Sequence, residues 1–270
     1  MLIRGRSITI NFTRWILKMD KTNITLSVVM PVCNESDTIE EIITQIEAVN
    51  LKKEIIIVDD SSTDGTADIL FSKFNKKDNI KLIFLKENHG KGFAIRTALE
   101  HVKGDIVIVQ DADLEYDPRD YIKLIAPILE NKTAVVYGSR FMDLDIPLYI
   151  STWIKSKFAG KDCSMGHLFF SHFLGILLLN LLVRILYNRK ITDEATCYKV
   201  FKSDLMRKIK LKSRRFEFCP EVTAKICKMG HKIYEVPISY NPRTTEHGKK
   251  LNWKDGVIAI FTLIKYRFID

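Results

Sequence analysis

The chain lacks the patterns that announce several common kinds of protein. Its five cysteines, Cys33, Cys163, Cys197, Cys219 and Cys227, are odd in number and form no Cys-x-x-Cys pair. That argues against a zinc ribbon and against a disulfide framework, and fits a reducing cytosol. There is no Gly-x-x-x-x-Gly-Lys-Ser/Thr loop, no Gly-x-Gly-x-x-Gly turn and no Gly-x-Ser-x-Gly elbow. P-loop, dehydrogenase-type and hydrolase-type sites therefore lack the turns that their chemistry needs. No uninterrupted apolar run reaches the roughly 18 residues of a membrane span. The closest approach, residues 168–183, is broken by Ser171, His172, Gly175 and Asn180. It reads equally as a buried core helix or as a helix lying in a membrane interface. Residues 1–20 hold Arg4, Arg6, Arg14 and Lys18 with no acid before Asp20, but no continuous apolar core and no small-residue cleavage site. They do not read as a signal peptide; residues 1–23 are set aside as a basic N-terminal extension, read equally as an interfacial arm or as a stretch upstream of a start at Met19.

What is present is a folding-competent chain of 270 residues, 46% hydrophobic and 28% charged. Lysine and arginine number 42 against 33 acids, a net charge of +9. Such a balance points to an anionic partner: nucleic acid, a phosphate-bearing substrate or an anionic membrane surface. Short apolar runs at 26–32, 54–58, 80–85, 105–110 and 133–137 read as buried strands. Helical spacing fills 35–49, with Ser36 as its expected cap, then 64–74, 90–102 and 120–131. This alternation predicts an α/β fold, a mostly parallel sheet flanked by helices on both faces. After Phe141 the pattern changes. A strand at 196–201, a helix at 217–229, a strand at 232–236, a basic loop at 241–250 and a helix at 255–266 are expected there. No repeat or low-complexity linker is visible. The best division is a nucleotide-binding half, 24–142, and an acceptor-side half, 143–270.

Open α/β sheets bind ligands at the carboxyl ends of their strands. Residues 31–35, 59–65 and 111–117 occupy three such ends. Asp111-Ala112-Asp113, followed by Glu115 and Asp117, closes the strand DIVIVQ. Carboxylates crowded in this way repel one another unless a cation is present, and a hard divalent ion takes oxygen ligands. The bare tripeptide is more often a solvated turn; its place after a buried strand favours the metal. Asp59 and Asp60 end the second strand and can accept from a base or a ribose, with helix capping assigned to Asp64. Glu35 beside Asn34 can hold ribose hydroxyls or simply favour a helix start. His89-Gly90-Lys91-Gly92 precedes a helix N-terminus, where an anion is expected.

The ordered pieces LSVVMPVCNE, EIIIVDDSSTDGT, ENHGKGFAIRTAL, GDIVIVQDADLEYDP and VVYGSRF resemble the family 2 glycosyltransferases of the GT-A (Rossmann-like) fold. The second half adds ITDEATCYKVFKSD, RFEFCPEVTAKICKMGHKIYEVPISYNPRT and GKKLNWKDG. Together they are similar to the branch of dolichol-phosphate mannose synthase and the bacterial polyprenyl-phosphate hexose transferases, over residues 24–266. The resemblance implies that Pro31, Glu35, Val58 and Asp60 surround a nucleotide, with Cys33 where relatives often carry tyrosine. It implies that Lys91 faces the nucleotide, that Asp111 and Asp113 hold nucleotide and metal (Asp113 also being catalytic), and that Glu115 is a third metal-side ligand. Arg140 is then a catalytic residue facing the acceptor phosphate, with Arg243 and Lys249 as further acceptor-phosphate candidates. For either of the last two alone, a solvated basic surface is the stronger reading.

The implied reaction is in-line, inverting transfer of a hexose from a UDP- or GDP-linked sugar to a dolichyl or undecaprenyl phosphate, with Mg²⁺ or Mn²⁺. A phosphate monoester is already largely ionised near neutral pH, its second pKa being about 6, so no strong base is needed. The helix at 168–183 and the C-terminal helix would seat the enzyme peripherally at the cytoplasmic face of a membrane. Three alternatives stand. One is a soluble glycosyltransferase acting on a saccharide or protein hydroxyl, with Asp117 or Glu194 as base. Another is a nucleotide-sugar-binding scaffold without turnover. Nucleic-acid binding is the third and is disfavoured, because no recognition helix or aromatic–basic platform is present.

Overall fold

The computed structural model describes residues 24–142, 164–243 and 253–269, with side chains from Phe173 onward in the helix that opens at Ser164. The basic extension 1–23, the stretch 143–163 and Lys249 lie outside the described residues. The elements run β1 (Leu26–Val32), α1 (Ile39–Ala48), β2 (Lys53–Asp59), α2 (Thr66–Phe74), β3 (Ile80–Phe84), α3 (Lys91–Leu99) and β4 (Ile106–Val109). A single 3₁₀ turn at Pro118–Asp120 leads into α4 (Tyr121–Leu129), followed by β5 (Val135–Ser139) and α5 (Ser164–Tyr187). Then come β6 (Lys199–Lys202), α6 (Ser203–Met206), α7 (Phe218–Lys228), β7 (Ile233–Pro237) and α8 (Trp253–Phe268).

One seven-stranded sheet is ordered β3-β2-β1-β4-β6-β5-β7. It is parallel except for β6, which runs antiparallel between β4 and β5. The expected mostly parallel, helix-flanked sheet is thus present. Strands from the second half, β6 and β7, complete it. β1 is buried along its whole length, as a strand covered on both faces must be. Its proline causes no conflict. Val29 turns its carbonyl to Gln110 on the β4 side, and Pro31 would turn an N–H the same way, beyond the last β1–β4 pair at Val29–Val109. Ile39, Ile42, Ile43 and Ile46 of α1 are fully buried at helical spacing, each contributing about 1.5–3 kcal/mol by leaving water.

Two local expectations change. Helix α1 starts at Ile39, because the Glu35 carbonyl accepts the amides of Thr38 and Ile39 in a turn of its own. Ser36 is not its cap; the Ser36 amide donates to Asp64, at 2.9 Å. Asp64 does serve the start of α2, accepting from the Thr66 amide at 3.0 Å.

Helix α5 has one face in the core and one apolar face exposed. Phe173, Ile176, Leu179 and Val183 face inward, while Leu174, Leu177, Leu178, Leu181 and Ile185 are exposed. Leu179 and Val183 pack with Ala259, Leu263 and Tyr266 of α8 and Ala224 of α7 in a second small core. The Tyr187 hydroxyl donates to the Leu263 carbonyl at 2.5 Å. On α8, Val257, Ile258, Phe261 and Phe268 are exposed. No helix of the described residues is long and apolar enough to cross a membrane.

Candidate active site

The loops after β1 and β2 are stitched to each other before any ligand enters. The Asn34 amide donates to Ser62 Oγ at 2.9 Å, and Asn34 Oδ1 accepts from the Thr63 amide at 2.8 Å. The Glu35 amide donates to Thr66 Oγ1 at 2.9 Å. Asn34, Ser61 and Leu114 all have positive φ, at 54°, 61° and 60°. Three non-glycine residues in the left-handed region thus follow three adjacent strand ends, where such conformations tend to accompany function.

Asp59 is buried; its Oδ1 accepts the Ser62 amide at 3.0 Å while Oδ2 has no partner among the described residues. Asp60 is equally buried, and both its oxygens are occupied. Oδ1 accepts the His89 amide at 2.8 Å and Oδ2 the Gly90 amide at 2.7 Å. Asp60 therefore shapes the turn before α3 as well as lining the cavity. Val58 lies fully buried in the main core and is not part of the cavity wall; it supports Pro31, its partner in register.

At the end of β4, Gln110 anchors the acidic turn: its Oε1 accepts the hydroxyls of Tyr121 at 2.6 Å and Tyr198 at 2.7 Å. Asp111 then pairs with Lys91, 2.5 Å away. Burial alone would lower the Lys91 pKa, but the Asp111 carboxylate overrides it and holds the ammonium charged, well above its usual range. Asp113 Oδ2 lies 3.2 Å from Arg243 Nη2. The same Nη2 reaches Glu35 Oε1 at 3.1 Å and Oε2 at 2.9 Å. Glu115 has partners of its own. Its Oε1 accepts the Arg243 amide at 2.8 Å and its Oε2 the Tyr240 hydroxyl at 2.9 Å. Glu115 thus ties the acidic turn to the segment after β7, a second role beside the metal-side one expected for it.

Arg140, at the end of β5, is nearly buried against Asp193, which is wholly so. Nε and Nη2 donate to the two Asp193 oxygens at 2.7 Å each, and the Arg140 amide adds a third bond at 3.0 Å. The guanidinium lies 5.0 Å from the Tyr240 ring centre and 5.4 Å from that of Phe141. Burial by itself would lower its pKa; Asp193 more than compensates and keeps it charged.

These groups surround one cavity of about 1000 Å³. Pro31, Cys33, Glu35, Asp60, Lys91, Asp111, Asp113, Glu115, Arg140 and Arg243 all contribute to its wall. The lining also includes apolar side chains, Ile176 and Leu179 of α5 and Val257, Ala259 and Ile260 of α8, beside Asp255 of α8. At the N-terminus of α3, where an anion is expected, the loop of residues 213–216 packs closely. The Phe93 amide donates to the Arg214 carbonyl at 3.0 Å, and a Cβ on Gly92 would stand 2.7 Å from the Arg215 carbonyl. The glycines permit close approach of the 213–216 loop. Sequence reasoning missed this loop, with Arg215 and Phe216 in the wall, and missed Asp193 and Tyr240. The basic–aromatic run RRFEF was the available signal for the loop.

Among the described residues no cluster of three or more acidic, histidine or cysteine groups is arranged as a metal site. Asp111 and Asp113 nevertheless fit a hard divalent cation. They supply oxygen donors only, and each is already faced by a side-chain cation, so both positions favour positive charge.

Comparison with known proteins gives the family and the fold. The family model described as glycosyl transferase family 2 matches residues 27–173. The low-salt glycan biosynthesis hexosyltransferase Agl6 of Haloferax volcanii is 28% identical over 225 residues, 82% of this chain and 49% of that protein. The undecaprenyl-phosphate 4-deoxy-4-formamido-L-arabinose transferase of Salmonella choleraesuis is 36% identical over 106 residues, 37% of this chain and 32% of that protein. The chain thus spans half or less of the length of these curated relatives. Among solved structures, glucosyl-3-phosphoglycerate synthase of Mycobacterium tuberculosis, in complex with Mn²⁺, UDP and phosphoglyceric acid, superposes with a TM-score of 0.68 at 17% identity. That match covers 99% of this chain and 85% of the other. Mannosyl-3-phosphoglycerate synthase of Rubrobacter xylanophilus gives 0.65 at 20% identity, over 93% and 75%. Identities this low establish the fold alone, which is GT-A. With the family model covering more than half of the chain, and its strand-end acids gathered on one cavity of that fold, the protein belongs to glycosyl transferase family 2.

Proposed function

We propose that the chain transfers a hexose from a UDP- or GDP-linked sugar to a polyprenyl phosphate, dolichyl or undecaprenyl, at the cytoplasmic face of a membrane, with Mg²⁺ or Mn²⁺ bound. The observation that carries this reading is the divided make-up of the cavity lining: carboxylates and cations from the strand ends and loops, and mostly apolar side chains from α5 and α8. A charged donor and a greasy acceptor that bears an anion need such a division. Outside the cavity the same two helices expose Leu181, Ile185, Phe261 and Phe268, an apolar face suited to lipid. The relatives that act in glycan synthesis and on undecaprenyl phosphate support it.

Asp111 and Asp113 would hold the metal, which supplies charge neutralisation for the departing nucleoside diphosphate. Lys91 adds positive charge beside Asp111, within 5.9 Å of the Phe216 ring centre, where low polarity strengthens its field. Glu35 is placed for ribose hydroxyls once Arg243 leaves it. Arg140, held rigid by Asp193, and Arg243 would offset repulsion between two polyanions on the acceptor side, with Lys249 proposed for the same task. The acceptor phosphate attacks unaided by a base.

The two phosphoglycerate synthases favour a second reading, a small water-soluble acceptor. Purified protein incubated with a panel of nucleotide sugars, Mn²⁺ or Mg²⁺, and either short polyprenyl phosphate or 3-phosphoglycerate separates them. Sugar appearing on the lipid phosphate, and lost in Asp113→Ala, is the expected result. Transfer to the soluble acceptor alone would replace the proposal. Undiminished turnover of Asp113→Ala in chelator would remove the metal from it.

A further inference from the structure

The charge pairing around the cavity singles out one residue. Four of its lining side chains are cationic: Lys91, Arg140, Arg215 and Arg243. Lys91 is paired with Asp111, Arg140 with Asp193, and Arg243 with Glu35 and Asp113. Arg215 is exposed, and its guanidinium has no partner among the described residues. We propose that Arg215 is a binding residue for the diphosphate of the nucleotide sugar, a role that rests on the donor class proposed above.

The loop that carries it is built to hold still. Buried Glu221 accepts the amides of Lys212 at 2.8 Å and Ser213 at 2.7 Å, and pairs with Lys225 at 2.6 Å. Glu217 Oε1 accepts the amides of Arg214 at 2.9 Å and Arg215 at 3.2 Å. On its other side the loop rests on two glycines. A Cβ on Gly90 would stand 2.6 Å from the Arg214 carbonyl and 3.0 Å from Arg215 Cγ. The arginine stem therefore lies over Gly90, whose amide is fixed by Asp60. Asp60, Gly90 and Arg215 form a continuous support from the end of β2 to a cation on the cavity wall. An exposed arginine on a loose loop would be ordinary surface. One whose backbone is fixed from both sides, next to the Lys91–Asp111 pair, is pre-organised for an anion. Its planar fork matches two phosphate oxygens. The nucleotide-side position, beside Gly90 and Lys91, selects the donor diphosphate over the acceptor phosphate.

The test uses the full chain as wild type, Arg215→Ala and Arg215→Lys. Calorimetric titration with UDP and with GDP in Mn²⁺ is the first readout. The second is the KM for donor and for polyprenyl phosphate. Arg215→Ala should weaken nucleoside-diphosphate binding and raise the donor KM by about ten-fold or more. Its melting temperature and acceptor KM should be unchanged, and Arg215→Lys should recover part of the loss. Equal diphosphate binding by wild type and Arg215→Ala would overturn the assignment while leaving the transferase reading intact. A rise confined to the acceptor KM would also overturn it. If wild type binds neither diphosphate, the donor reading fails and this proposal with it.

Discussion

Replacing Asp193 with Ala tests whether Arg140 is part of the fold as well as of the site. The variant removes the partner of three N–H groups and leaves a guanidinium whose side chain is only 6% exposed without its anion. Breaking a buried pair from one side costs about 3–5 kcal/mol. For a chain of this size each kcal/mol moves the melting temperature by about 2–4 °C, so a fall of roughly 6–20 °C is expected by calorimetry. Arg140→Ala should cost a similar amount, since it strands the Asp193 carboxylate instead. The double variant should cost far less than the sum, with a coupling of about 2 kcal/mol or more. Urea titrations of the four proteins measure that cycle. If Arg140 served only an incoming phosphate, Asp193→Ala would melt within about 2 °C of wild type and the cycle would be additive. That result would refute the reasoning.

Asp60→Ala deprives the amides of His89 and Gly90 of their acceptor; at about 1–3 kcal/mol for each unsatisfied group, a lower urea midpoint and weaker nucleotide binding should appear together. Asp64 titrates low, at about 2: burial alone would raise it, but hydrogen bonds from Thr66 and Ser36 prevail. Its contribution to stability is therefore full above the unfolded value near 3.9 and lost as pH falls through about 2. The stability gap between wild type and Asp64→Asn, followed by urea unfolding from pH 6 to pH 2, should be flat and then close; a gap that widens with acid would contradict the assignment. Ile185→Ser with Phe261→Ser changes two side chains that are each 67% exposed. Melting should hardly move, while co-sedimentation with anionic vesicles should drop about ten-fold or more; unchanged sedimentation would remove lipid from the proposed function.

Much of this molecule can be read along the chain, for a physical reason. β1, β2 and β4 are covered on both faces, so each is a short apolar run ending abruptly in polar residues, and the position of the acids follows from the run. Periodicity says nothing of direction, however. β6 is legible as a strand from the run that ends at Phe201, yet it enters antiparallel between β4 and β5. The roles of single side chains are harder still. Asp60 stands where a nucleotide ligand is expected, but its oxygens reach amides 29 and 30 residues away. Ser36 has the chemistry of a helix cap and instead serves Asp64 across two loops. Such pairings are decided by the tertiary approach of segments, which no local pattern encodes.

That approach also explains why so many like charges coexist in one cavity. Glu35, Asp111, Asp113 and Glu115 would repel one another if left to solvent and to each other. Each is answered from a segment distant in the chain: Lys91 at the start of α3, or Tyr240 and Arg243 after β7. The pairs neutralise the wall and bind the segment after β7 onto the acidic turn, where Tyr116 and Tyr240 add a bridge of their own. A diphosphate entering this cavity competes with carboxylates for cations already engaged. Part of its attraction is then offset by the pairs it breaks, because an exchanged contact contributes only the difference between the two. A cation with no pair to break escapes that offset, which is the energetic reason Arg215 should matter more to binding than its exposed position alone would suggest.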